Sequence, residues 1–270
     1  MKYGLVGEKL GHSFSPEIHR AIFELAGTEG EYSLIELQKD ELGSFLQNAA
    51  GQGFTGLNVT IPYKTAVIPF LDSVSAEAEK TGAVNTISFK NGIKGFNTDY
   101  YGIRHTFLKN GINAAGKKIL VAGSGGAAKS VMAFLVDENA GRIFIASRNP
   151  ANIAVKSEST IPVGYEEIDR YAPFDIVINT TPVGMYPNTG VSPLKPGHVR
   201  GAEFLFDLIY NPGRTELLKL AEDLRIPNEN GLYMLVVQAV KAHEIWNNRE
   251  YDTDFINSVY NEAKNKLGVL

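Results

Sequence analysis

"KKILVAGSGGAAKS", residues 117–130, sets an apolar run against a glycine cluster and then the start of a helical pattern. Gly123, Ser124, Gly125, Gly126, Ala127 and Ala128 match G-x-G-x-x-A, with a strand predicted before them and "AAKSVMAFLVDEN" predicted as a helix after them. Such residues permit a tight turn and close approach of the backbone to a pyrophosphate, with the helix N-terminus facing the anion. The alternative reading is a structural strand-to-helix turn. Downstream, "GRIFIAS", "FDIVINT" and "AEFLFDLIY" read as further strands and "RTELLKLAEDL" as a helix, the signature of a doubly wound nucleotide domain. About twenty residues past the glycines, where an NAD site commonly places an acid, the chain has "ASRNP". Arg148 suits a 2′-phosphate, which favours NADP over NAD; the alternative is a solvent-exposed loop arginine.

Composition narrows the rest. The 270 residues are 44% hydrophobic and 21% charged, which fits a folded chain of one large or two ordinary domains. The net charge of -4 gives nucleic acid phosphates nothing to bind, so a small-molecule partner is expected and a nucleic acid is not. With no cysteine, disulfide frameworks, thiolate zinc sites and cysteine nucleophiles drop out. Histidines at 12, 19, 105, 198 and 243 show no ligand spacing, so no metal is expected. Neither a secretory signal nor a membrane-length apolar run occurs, and the expected location is the cytoplasm.

Before residue 100, strand and helix patterns alternate: "YGLVG" as a strand, "SPEIHRAIFELAG" as a helix with Ser15 as N-cap and Pro16 at its first position, "YSLIELQ" and "FTGLNVT" as strands. Asn91-Gly92 predicts a two-residue hairpin turn that pairs Lys90 with Ile93, Thr86 with Asn97 and Asn85 with Thr98. In "GLNVTIPYK" the residues Asn58, Thr60, Pro62 and Lys64 alternate, so an extended chain would turn all four to one side. Taken singly, Lys64 reads as a solvated lysine and Asp99 as a helix cap. Ser13 and Ser15 stand two apart, placed to share one polar ligand. Gln238 falls on the otherwise apolar face of a helix, where its amide needs a partner in backbone or ligand.

Taken together, "GHSFSPEIH", "GLNVTIPYK", "GAVNT", "NTDYYG", "GSGGAAKS", "SRN", "NTTPVGM", "DLIYNP" and "GLYMLVVQA" resemble the shikimate dehydrogenase family, in order and over almost the whole chain. The resemblance implies an α/β fold with an N-terminal α/β substrate domain and a Rossmann-like NADP-binding domain, the active site lying in the cleft between them. Boundaries follow at 1–99, completed by about 237–270, and 100–236. It implies NADPH-dependent reduction of 3-dehydroshikimate to shikimate, on the route to chorismate and the aromatic amino acids, by a monomer or homodimer. Carried over by position, Ser13, Ser15, Thr60, Asn85, Tyr210 and Gln238 would bind substrate, and Lys64 and Asp99 would form the catalytic pair. Gly123, Ser124, Gly125, Gly126 and Ala127 would hold the pyrophosphate, Ser147, Arg148 and Asn149 the 2′-phosphate, and Leu208 and Gly231 the nicotinamide. Arg20, Ser147, Asn149 and "KAHEIW" depart from the family pattern, leaving Arg148 as the main anchor for NADP. A quinate or quinate/shikimate dehydrogenase, and more remotely a non-catalytic ligand sensor, are the competing readings.

Overall fold

The structure is a computed structural model describing residues 1–11, 13–153 and 157–267; His12 lies outside the described residues. The chain divides into two compact units, one comprising Met1–Gly102 with the C-terminal segment from Leu235, the other Ile103–Met234. In chain order the first elements are β1 (Lys2–Gly7), α1 (Ser15–Ala26), β2 (Glu31–Glu36), α2 (Leu42–Ala49), β3 (Phe54–Val59), β4 (Ser73–Val74), α3 (Ala76–Thr81), β5 (Thr86–Ser88), β6 (Lys94–Phe96) and α4 (Asp99–Lys109). There follow β7 (Lys118–Ala122), α5 (Gly126–Asp137), β8 (Arg142–Ala146), β9 (Thr160–Val163), β10 (Ile176–Asn179), α6 (Pro196–Val199), β11 (Phe204–Asp207), α7 (Glu216–Asp223), β12 (Asn228–Glu229), α8 (Leu232–Asn247) and α9 (Thr253–Leu267). No helix among the described residues is long and apolar enough to cross a membrane.

The first unit is built on a mixed sheet of order β2-β1-β3-β5-β6-β4. Strands β1, β2 and β3 are parallel, whereas β5 runs antiparallel to both β3 and β6. Alternation along β1 sends Tyr3 to one face and Val6 to the other. On one side Val6 packs with Leu46 of α2 and with Leu57 and Val59 of β3. On the other, Tyr3 stacks on Trp246 of α8 with ring centroids 4.7 Å apart and on Phe23 of α1 at 5.6 Å. The C-terminal helices thus complete the core of the N-terminal sheet, and the Trp246 indole donates to the Ile87 carbonyl at 2.9 Å.

Three local expectations need correcting. The β5–β6 register pairs Thr86 with Phe96, Ile87 with Gly95 and Ser88 with Lys94, one residue off the two-residue hairpin. The cause lies outside the hairpin: the Asp72 carboxylate accepts the Ile93 N–H at 2.7 Å, and the Asp72 N–H donates to the Ile93 carbonyl at 2.8 Å. Those bonds hold Ile93 away from Lys90 and lengthen the loop. Next, β3 ends at Val59, so Lys64 lies on a turn rather than on an extended strand; Pro62 has no N–H with which to continue a ladder. Last, Ser15 is the first residue of α1, with Phe14 at the cap, and it is Ser13 Oγ that accepts the Ser15 N–H, at 3.3 Å.

The second unit carries a sheet of order β12-β11-β10-β7-β8-β9, parallel at every pairing. Chain order therefore reverses between β7 and β10, the switch point at which doubly wound sheets bind nucleotides. Leu120, Phe144, Val177, Leu205 and Leu217 fill its core. The short strand β9, drawn from "TIPV", carried no alternation strong enough to be read in the sequence.

Gly56 has the tightest fit in the first core: a Cβ there would stand 2.1 Å from the Trp246 indole nitrogen. Gly56→Ala should destabilise this unit by about 1–3 kcal/mol through overpacking, read as a lowered midpoint in urea denaturation followed by Trp246 fluorescence.

Candidate active site

Asn85 immediately precedes β5 and Thr98 immediately precedes α4, so the antiparallel β5–β6 pair sets the two side by side. The shifted register makes the meeting a matter of side chains. Asn85 Oδ1 accepts the Thr98 N–H at 2.7 Å, and this fixes the amide the other way round for Asp99, to whose Oδ1 Nδ2 donates at 2.9 Å. Asp99 is the first residue of α4, where the helix dipole favours a negative charge. Its second oxygen accepts from Lys64 Nζ at 2.6 Å, and the Lys64 and Asp99 side chains are 16% and 7% exposed. The Lys64 backbone is pinned beside Asn85, its carbonyl accepting the Val84 N–H at 2.7 Å. Gln238, from α8, accepts from Asn85 Nδ2 at 3.5 Å and Thr98 Oγ1 at 3.4 Å while donating to the Leu235 carbonyl at 2.8 Å. Its amide therefore finds side chains and backbone together.

Behind this cluster stands a buried layer. Asn58 of β3 donates to the Asn85 carbonyl at 3.2 Å and to Thr86 Oγ1 at 3.1 Å. Its Oδ1 accepts from the Tyr32 hydroxyl at 2.8 Å and faces His19 Nε2 at 3.1 Å. Since Asn58 Nδ2 is committed to a carbonyl, His19 must donate through Nε2–H. Burial, then the neighbouring His243, lowers the His19 pKa from 6.5 to about 3, so the ring is neutral. Its ring stacks on Tyr32 with centroids 4.0 Å apart. Tyr32, whose phenol pKa burial pushes up, is bonded in turn by Ser15. Ser13 and Ser15 hold their hydroxyl oxygens 3.2 Å apart. A continuous hydrogen-bonded path thus runs from Ser15 through Tyr32, Asn58 and Asn85 to Asp99.

The structure brings Asn85, Lys64, Asp99 and Gln238 into direct contact and joins Ser13 and Ser15 to them through that path. Thr60 follows β3, its methyl lying where a side chain at Gly7 would fall. His19, Tyr32 and Thr86 were not picked out from the sequence. The signal that bears on them is Asn58, a polar residue within a strand whose last four residues are buried.

In the second unit the glycine loop suits a pyrophosphate. Gly123 sits at φ 103°, and a Cβ there would fall 2.6 Å from Thr180 Oγ1. Only glycine fits that angle and that gap. Gly125 caps α5, Gly126 and Ala127 begin it, and their side of the helix offers unpaired N–H groups to an anion. Ser124 Oγ lies 3.3 Å from Ser147 Oγ, so the loop after β7 meets the loop after β8. Ser147 Oγ also accepts the Asn149 N–H at 3.2 Å, and Arg148 between them is exposed. Burial raises the Tyr165 phenol pKa and the positive Arg148 opposes it, which places the guanidinium near Tyr165. Gly231 donates to the Ile209 carbonyl at 3.0 Å and approaches Leu208 so closely that a Cβ would stand 2.0 Å from its carbonyl oxygen. Tyr210 follows with its phenol pKa raised by burial. Among the described residues no cluster of three or more acidic or histidine side chains could hold a metal.

Comparison with known proteins agrees with both units. The family described as "Shikimate dehydrogenase substrate binding domain" matches residues 5–87. A protein of Clostridium beijerinckii named "Shikimate dehydrogenase (NADP(+))" is 41% identical over 98% of each chain, and one of the same name from Geobacillus kaustophilus is 37% identical over 97% of this chain and 98% of its own. Among solved structures, shikimate dehydrogenase 1 from Peptoclostridium difficile superposes with a TM-score of 0.93 at 38% identity, covering 98% of each chain. Shikimate 5-dehydrogenase from Thermus thermophilus, in complex with NADP(H) and shikimate, does so at 0.86 with 28% identity, covering 97% of this chain and 99% of its own.

The buried histidines have a consequence for acid stability. His243, packed beside Phe23 and bonded to Tyr251, has its pKa lowered by burial from 6.5 to about 4. A lowered histidine pKa favours the neutral ring in the folded state, so its contribution is complete above 6.5 and is lost as pH falls toward about 3 for His19 and about 4 for His243. Each should steepen the loss by up to about 1.4 kcal/mol per pH unit within that window. Urea titrations at about pH 7 and about pH 5 check this, with His19→Gln giving a shallower dependence than the parent.

Proposed function

The chain belongs to the shikimate dehydrogenase family, and from that premise we propose that Lys64 and Asp99 carry its interconversion of 3-dehydroshikimate and shikimate with NADPH. The observation that bears most weight is the 2.6 Å contact between them, with Asn85 bonded to the other oxygen of Asp99. In this reading Met1–Gly102 with the C-terminal segment is the substrate unit and Ile103–Met234 the cofactor unit.

NADPH, when bound, supplies the hydride for the C3 carbonyl. As that carbonyl is reduced, negative charge develops on its oxygen, and an ammonium beside it lowers the barrier and delivers the proton. Lys64 has three donors and spends one on Asp99, leaving two for substrate. Asp99 holds the ammonium in place; once loaded it accepts a hydrogen bond from a neighbouring substrate hydroxyl. Asn85 and Gln238 add amide groups at the same point, and Ser13, Ser15 and Thr60 bind the remaining hydroxyls and carboxylate, assisted by Tyr210. On the cofactor side Gly123 through Ala127 take the pyrophosphate, Ser147, Arg148 and Asn149 the 2′-phosphate, and Leu208 and Gly231 the nicotinamide. Arg148, exposed and unobstructed by an acid at the end of β8, supports the preference for NADP. A chain with no cysteine to protect or to pair suits the reducing cytoplasm as the place of this activity.

Lys64→Ala should lower kcat by about 10²–10⁴-fold while leaving KM for NADPH within about twofold. Retention of kcat would remove Lys64 from the chemistry. Arg148→Ala should raise KM for NADPH by about tenfold or more and leave KM for NADH little changed, since only NADPH carries the phosphate. Measuring kcat/KM for shikimate and for quinate with both oxidised cofactors is the companion assay. Efficiency highest with shikimate and NADP is expected; a preference for quinate would point to the competing dehydrogenase.

A further inference from the structure

Asp207, the last residue of β11, is fully buried, and no role in hydride or proton transfer falls to it. Burial raises its pKa from the ordinary carboxylate value, against the bonds it accepts. None of those bonds comes from a cation: Oδ1 accepts from Asn179 Nδ2 at 2.9 Å and the Ile209 N–H at 3.2 Å, and Oδ2 accepts from the Thr215 hydroxyl at 2.6 Å. A buried carboxylate held only by neutral donors is destabilising where an apolar side chain would fill the same space.

Two of those three donors flank one loop. Ile209 is the second residue of the segment 208–214 and Thr215 immediately follows it, so one carboxylate closes the neck of that loop, an oxygen on each side. Thr215 is also the cap of α7, accepting the Leu218 N–H at 3.2 Å. Asn179 ends β10, accepts the Thr181 N–H at 2.9 Å and the Thr181 hydroxyl at 2.7 Å, and takes the Leu208 N–H on its carbonyl at 3.0 Å. Leu208 is held between Asp207 and the bonded Ile209, its own N–H on the Asn179 carbonyl, and Tyr210 lies between the two anchors. The loop's Gly213 carbonyl accepts from Asn230 Nδ2 at 2.9 Å, directly before Gly231.

We infer that Asp207 is a positioning residue for the nicotinamide end of the cofactor site, closing the neck of loop 208–214 so that Leu208 stands against Gly231. The inference rests on the assignment of Leu208 and Gly231 to the nicotinamide. Asp207 touches neither cofactor nor substrate; it acts through the loop it closes. The adenosine end is held by separate residues, after β7 and β8, so the two ends of the cofactor should respond differently when the clamp is removed.

The test compares KM for NADPH with the inhibition constant of 2′,5′-ADP, a fragment that carries the adenosine and its 2′-phosphate but no nicotinamide. Asp207→Ala should raise KM for NADPH about tenfold and leave the constant for 2′,5′-ADP within about twofold, the loss of well-placed buried bonds at one end only. Asp207→Asn, which keeps an acceptor for Ile209 and Asn179, should stay within about threefold of the parent in both. Equal weakening of both ligands would mean a general loss of the unit and overturn the inference, as would no change in either. Asn179→Ser, which leaves Asp207 in place but takes away one of its donors, should show the same split, and it decides the matter if Asp207→Ala does not fold. Gly231→Ala marks the assignment beneath: if it leaves KM for NADPH unchanged, that assignment has failed, and if it raises KM while Asp207→Ala does not, only the clamp has failed.

Discussion

The amide of Asn58 makes every hydrogen bond it is capable of making, and the first unit is arranged around that requirement. Two donors reach it from Tyr32 and His19, and its own two N–H bonds reach Asn85 and Thr86. An amide buried on a central strand loses its hydration, so each bond left unmade would cost about 1–3 kcal/mol. Three separate segments are thereby tied to one side chain of β3: α1 through His19, β2 through Tyr32, and the start of β5 through Asn85 and Thr86. Asn85 then turns its own amide to Asp99, and Asp99 holds Lys64. The candidate catalytic pair is the last link of a chain that begins in the interior of the sheet.

Much of the scaffold was legible because its causes are local. Short runs rich in apolar residues mark β1, β2 and β3, helical spacing marks α1, α5 and α8, and the glycine cluster marks the turn from β7 into α5. The β5–β6 register was misread for the converse reason: Asn91-Gly92 favours a two-residue turn, but Asp72, some twenty residues earlier, captures Ile93 and overrides it. The run "GLNVTIPYK" failed as an extended strand where Pro62 stops the ladder, so Lys64 reaches Asp99 from a turn. The pairing of Asn85 with Thr98 nonetheless occurs. It rests on the Asn85 side chain and the Thr98 N–H, bonds that backbone register alone does not set.

The second unit distributes its buried polar groups differently. Beyond Lys118 and Arg142, which open β7 and β8, the strands β7, β8, β10 and β11 are apolar until the buried polar residues Asn179 and Asp207 at the C-terminal ends of β10 and β11. That edge is where the chain order reverses and where the loops carrying Gly123, Leu208 and Tyr210 emerge. A loop on a rigid edge is free to vary, but a loop that must place backbone atoms to within a fraction of an ångström against a ligand needs its ends fixed. Thr180 donates to the Ala122 carbonyl at 2.7 Å beside Gly123, and Asn179 and Asp207 hold the adjoining pair of loops.

Each unit thus places buried polar groups behind residues assigned to ligand: His19 and Asn58 behind Asn85 and Asp99 in the first, Asn179 and Asp207 beside Leu208 in the second. His19 is kept neutral so that it can donate to Asn58 without bringing a charge into the same interior as Trp246 and Tyr3. Asp207 has no cation to offset its burial and is retained by donors at the loop necks. An all-apolar interior would fold with less opposition, yet it would leave Asn85, Asp99 and Leu208 to be oriented by shape alone. Hydrogen bonds with one permitted direction remove that freedom: Asn85 cannot rotate its amide without facing its donors with the Thr98 N–H, and that single constraint decides which atom Asp99 meets.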